Sequence, residues 1–136
     1  MIDIVDFFGG SKRRSALQLF DRTLATLEVN PAYVDDGMRF AIFRWARAAA
    51  ENTMSENGVI DGLMREAAML ISFCVLGPAE TEAQWGPTVR QEREARFNAA
   101  IEAGDDESID AKVIKLVLAK GIAAPDVLER VSLEQD

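Results

Sequence analysis

The ten residues AAMLISFCVL, Ala67 to Leu76, carry no charge and a single hydroxyl. Coiled into a helix they are apolar on every side, and such a helix lies in the middle of a bundle or is half covered by a partner subunit. The stretch therefore predicts a third helix, about Val59–Leu76, that other elements surround. Gly77-Pro78 ends it in the manner usual for a helix C-terminus. The nearly uncharged run, Ala67 to Ala79, is well short of the roughly 20 residues that span a bilayer, so no transmembrane segment is expected.

The flanking sequence supplies helices to cover it. Between Ser11 and Val29, Leu17, Phe20, Leu24 and Leu27 recur at spacings of three and four, which makes one apolar stripe. Asn30-Pro31 closes that helix, because a residue before proline avoids helical geometry, and Pro31 suits the first turn of the next. The second helix is expected to run to about Asn52 with Asp35 and Asp36 near its positive end. Met38, Ile42, Trp45 and Ala49 form its main face and Phe40 and Phe43 widen it, which makes it central beside the third helix. Asp35 with Arg39 and Arg47 with Glu51 have the four-residue spacing of helix surface pairs.

After the linker TMSENG and the third helix, AETEAQW reads as two helical turns between Gly77-Pro78 and Gly86-Pro87. PTVRQEREARFNAAIEAG has a thin stripe of Val89, Phe97, Ala100 and Ile101 and is otherwise charged, so it predicts a largely exposed, salt-bridged helix. GDDES is a turn with Ser108 as N-cap. Ile109, Val113, Leu116 and Val117 then mark a helix that Gly121 ends, and a last one covers about Pro125 to Val131 before a frayed tail at 132–136. No alternating run is long enough for a strand. The expectation is an all-α, single-domain bundle of five to six helices over residues 1–136, with 1–10 as an N-terminal cap or arm.

Chemistry is bounded mainly by what the chain lacks. It has no histidine and one cysteine, which removes the usual near-neutral acid–base group, imidazole and thiolate zinc sites and every triad with a histidine base. Cys74 lies within the apolar run and reads as a buried hydrophobe. The acids Asp105, Asp106, Glu107 and Asp110 cluster without the glycine and glutamate positions of an EF-hand. FFGGSKR lacks the spacing of a phosphate-binding loop. A net charge of -8 opposes nucleic-acid binding, and RQEREAR nearly cancels its own charge. The opening residues have no apolar core typical of a secretory signal, and a cytoplasmic protein is expected. No catalytic residue, metal site or cofactor is expected.

The stretch IVDFFGGSKRR is the exception to this plainness. If Ser11 caps the first helix, Lys12, Arg13 and Arg14 occupy its first turn and oppose the dipole, so either the helix begins earlier or these charges face something anionic. Ile2, Val5, Phe7 and Phe8 followed by the basic cluster have the ingredients of an interfacial membrane anchor. This opening resembles that of the bacterial division-site topological-specificity factor family, in which a short apolar, Phe-containing segment precedes basic residues. The resemblance covers about ten of the 136 residues, and nothing downstream follows that family. The competing expectation is that Ile4, Val5, Phe7 and Phe8 fold back over the bundle, with Gly9-Gly10 as the turn.

Arg39, Arg44, Arg47 and Arg65 stand near apolar segments, where a guanidinium holds a carboxylate or phosphate in bidentate fashion. Arg39, Arg44 and Arg47 are the candidate anion-binding residues, and Phe7, Phe8, Lys12, Arg13 and Arg14 the candidate partner or membrane contacts. The leading expectation is a small non-catalytic regulatory protein that acts through protein contacts or as a homodimer. A peripheral membrane factor using residues 1–14 and a small-ligand pocket between helices are the alternatives.

Overall fold

Ala67, Ala68, Leu70, Ile71, Ser72, Phe73 and Cys74 are all buried, and the rest of the chain is arranged to bury them. The computed structural model describes residues 4–104 and 107–135, with side chains over 11–104 and 107–131. The described residues form α1 (Ile4–Thr26), a 3₁₀ turn (Pro31–Tyr33), α2 (Asp36–Ala50), α3 (Glu56–Trp85), α4 (Pro87–Glu102), α5 (Ile109–Ala119) and α6 (Pro125–Gln135). There is no strand among them.

Helix α3 is the axis, and α1, α2, α4, α5 and α6 all pack on it. Around it α1 meets α2, α2 meets α5, and α5 and α6 meet α4. The ring is left open between α4 and α1. One continuous core joins Phe20 and Leu24 of α1, Met38 and Ile42 of α2, Met64, Ile71 and Phe73 of α3, Phe97 of α4 and Val113 and Val117 of α5. Phe73 and Phe97 meet with ring centroids 5.5 Å apart and planes tilted by 49°, one of the offset geometries aromatic quadrupoles favour. Ser72, the one hydroxyl of the apolar run, is fully buried and donates to the Leu27 carbonyl of α1 at 3.1 Å.

Local chemistry sets most boundaries. Asp35 caps α2 by accepting from the Met38 N–H at 2.8 Å, and Ser108 caps α5 by accepting from Ala111 at 3.1 Å. Gly86 and Gly121 hold positive φ angles of 94° and 68° at helix ends, a conformation open to glycine because it has no Cβ. After Gly121 turns the chain, the Ile122 N–H reaches back to the Val117 carbonyl.

Several expectations are corrected. Helix α1 begins at Ile4 and not at Ser11; Gly9 and Gly10 lie inside it and make no turn. Lys12, Arg13 and Arg14 therefore sit beyond the first turn, where the dipole no longer opposes them. The helix also stops at Thr26, and Glu28 at φ 65° turns the chain so that Val29 N–H donates to the Leu24 carbonyl. Pro31 opens a separate 3₁₀ turn capped by Asn30, and α2 ends at Ala50.

Helix α2 is part of the ring, since Ala48 and Ala49 are exposed and Phe40 is 40% exposed. Asp35 pairs with Lys120 of α5 at 2.7 Å, leaving Arg39 to Asp21 at 2.9 Å and Asp36 at 3.5 Å. Helix α3 starts at Glu56; the stop expected at Gly77-Pro78 is present as a break at Gly77, beyond which a second helical piece runs to Trp85. Helix α6 runs from Pro125 to Gln135.

Candidate functional site

The open side of the ring is the most distinctive concave surface. Its floor is α3, through Met69, Leu70 and Phe73, and its walls are Leu19, Thr23 and Thr26 of α1, Leu27 just after it, and Val89 and Glu92 of α4. It has two compartments, of about 340 Å³ toward α1 and about 260 Å³ toward α4, and Met69 and Arg93 border both. The wall positions on α1, Leu19 to Thr26, span about 10 Å at 1.5 Å per residue, which is two helical turns.

Helical spacing puts arginines on the rim. Arg22 lies three residues past Leu19 on α1, Arg65 four before Met69 on α3, and Arg93 four past Val89 on α4. Arg22 and Arg65 are exposed and make no ion pair among the described residues. Arg93 is half-buried and stacks on Trp85, its guanidinium carbon 4.8 Å from the ring centroid, a cation–π contact.

Its Nη1 is buried without a hydrogen-bond partner, although a buried donor left in that state is costly. Burial lowers the Arg93 pKa, and the Glu92 charge partly opposes that shift. The group stays cationic, since a guanidinium ordinarily keeps its proton far above neutral pH. Arg96, at the far end, is already occupied: it holds Asp110 with two hydrogen bonds of 2.9 and 2.8 Å and reaches Glu66 at 3.3 Å. Those contacts raise its pKa, the Asp110 hydrogen bond most of all.

The residues singled out in the sequence fall elsewhere. Arg39 is committed to structure, with Nε on Asp21 and Nη2 donating to the Pro31 carbonyl at 2.6 Å, and Nη1 to that of Val34. Arg44 is exposed on α2, and Arg47 lies 5.7 Å over the Phe43 ring. Lys12 pairs with Asp61 at 2.7 Å, Arg13 covers the Phe40 ring at 5.6 Å, and Arg14 is exposed. The side chains of Phe7 and Phe8 lie outside the described residues, as do Asp105 and Asp106.

On α4, Arg90 pairs with Glu94 at 2.8 Å and Glu82 at 3.6 Å, the salt-bridged pattern the sequence predicts. Burial pushes the Cys74 thiol up to about 12. Among the described residues no cluster of three or more acidic, cysteine or histidine side chains could hold a metal ion, and no helix is long and apolar enough to cross a membrane.

Sequence reasoning singled out Arg65 but not Arg22 or Arg93, nor that the three share a groove. Arg22 lies off the apolar stripe of its helix, and Arg93 is one of three arginines in RQEREAR. Nothing local separates Arg93 from Arg90, which has carboxylate partners. Comparison with family models, with curated proteins and with solved structures gives no match, so the groove's chemistry is the only guide to its use.

Proposed function

We propose that this chain is a non-catalytic protein-binding bundle, and that the groove between α1 and α4 receives an amphipathic helix with acidic flanks from a partner. One observation carries this reading: among the described residues the groove between α1 and α4 is edged by Arg22, Arg65 and Arg93, none of which makes an ion pair, with Glu92 the one carboxylate beside Arg93 on its α4 side. A slot walled by two helices and floored by a third has the form that takes another helix by its apolar face. Leucine-sized side chains would meet Met69, Leu70 and Phe73, and flanking carboxylates would meet the three guanidinium groups in charge-assisted hydrogen bonds. A carboxylate that draws Arg93 off Trp85 would also satisfy its buried Nη1.

Selection from a library of helical peptides with randomised surface positions, displayed against the full chain, tests this. Recovered binders are expected to be rich in Glu and Asp beside an apolar stripe, and to bind at least about tenfold more weakly to R65E and R93E, because juxtaposed like charges oppose association. Binders without acidic enrichment, or indifferent to both substitutions, overturn the reading. Binding of a medium-chain fatty carboxylate in the same groove with no peptide selected assigns it to a small anionic amphiphile instead.

A further inference from the structure

A second cationic surface lies on α1 and α2 and has no part in the groove. Phe40, Arg44 and Arg47 follow one another at spacings of four and three on α2, so they form one stripe. Arg13 of α1 covers the Phe40 ring, 5.6 Å from its centroid, and Arg47 stands 5.7 Å from the centroid of Phe43. Arg14 is exposed beside Arg13.

None of Arg13, Arg14, Arg44 and Arg47 makes an ion pair among the described residues. In contrast, Lys12, Arg39, Arg90, Arg96, Lys112, Lys120 and Arg130 all have carboxylate partners. In a chain of net charge -8, Arg13 on the ring of a half-exposed phenylalanine and Arg44 and Arg47 along the same stripe, all three without an ion pair among the described residues, are a strong local departure from the average.

The shape of this surface selects its ligand. Phe40, Arg44 and Arg47 run along one exposed face of α2 with Arg13 of α1 beside them, a contact suited to an extended surface. Phe40 has no polar handle, and a 40% exposed phenyl ring gains by entering an apolar boundary layer, where guanidinium groups at its edge remain among headgroup phosphates. On α2 the acids flanking the stripe are Asp36, paired with Arg39, and Glu51 after Arg47.

We propose that the Arg13–Phe40–Arg44–Arg47 surface docks reversibly on an anionic lipid bilayer, with Phe40 at the headgroup boundary and the arginines on lipid phosphates. The residues named for this contact come from α2 as much as from α1 and do not include residues 1–10.

The test is co-sedimentation of the full chain with vesicles of phosphatidylcholine alone and of phosphatidylcholine mixed with phosphatidylglycerol, at low and physiological salt. Wild type, R44Q/R47Q, F40S and the groove variant R65Q are compared, each checked by circular dichroism. All the altered side chains are exposed, so helicity is expected to be retained. Binding is expected only to the mixed vesicles and to weaken with salt. R44Q/R47Q should lose about fivefold for each arginine removed, F40S should weaken binding at both salt concentrations, and R65Q should match wild type.

Lack of binding to the mixed vesicles overturns the proposal, as does binding that R44Q/R47Q and F40S leave unchanged. Equal binding to heparin and to vesicles with F40S silent also overturns it, because the surface would then be a general polyanion site with no use for the phenyl ring.

Discussion

At the scale of single residues, long-range partners outrank local ones. Asp35 and Arg39 are correctly spaced for a helix pair, but Lys120 and Asp21 take them, and Arg39 also ties down the carbonyls of the 3₁₀ turn. The Asp35 carboxyl is held below its ordinary value chiefly by the Lys120 hydrogen bond and then by the Met38 amide. Cys74 is the opposite case: a buried thiol with no cation to favour its thiolate.

Cys74 gives a pH prediction. The unfolded chain loses the thiol proton near 9.0 and the native chain only near about 12, so the native state binds more protons between those values and stability falls as pH rises through that window. Denaturant unfolding of C74A against wild type should show the difference shrinking above pH 9.0. In native protein at neutral pH, alkylation of the thiol should be far slower than after unfolding; equal rates would contradict its burial.

At the scale of elements, the break in α3 shows how one helix positions another. Pro78 has no N–H to give the Cys74 carbonyl four residues back, and the Ala124 N–H supplies it at 2.8 Å from the segment that leads into α6. Gly77 stands at φ 84° beside Asp126, and a Cβ there would come within 2.4 Å of Asp126 Oδ1. G77A is therefore expected to cost about 1–3 kcal/mol from the backbone alone, because φ 84° with ψ 166° lies in a region essentially confined to glycine, with a further loss from the Asp126 contact. Thermal unfolding of G77A, D126A and the double variant checks this: the double should recover the contact part and keep the backbone part. The sequence reads the proline as the end of a helix, correctly in its dihedral angles, but the identity of the substitute donor is not local information.

At the scale of the whole molecule, the apolar surplus that suggests self-association is mostly consumed inside. Among the described residues only Tyr33, Phe40, Met54 and Leu128 are large hydrophobic side chains with substantial exposure. Helix α4, predicted to be largely exposed, is held to the core through Phe97, 2% exposed against Phe73. F97A is expected to cost about 3–5 kcal/mol and to loosen α4 first, read as earlier loss of hydrogen-exchange protection in 87–102 than in α3; uniform loss would mean that α4 does not open on its own.

What the sequence by itself determined is the set of helices and their punctuation. Apolar spacing, Asp35 and Ser108 as caps, and Gly-Pro pairs act within one or two turns, and AAMLISFCVL requires that its helix be covered on every side. What only the tertiary structure decided is how charges and gaps are distributed. Which arginines keep free guanidinium groups depends on carboxylates brought from distant segments, as Asp110 meets Arg96 and Asp61 meets Lys12. The opening between α4 and α1 follows from which helices meet one another around α3. Both follow from packing between residues far apart in the chain, and periodicity carries no record of that.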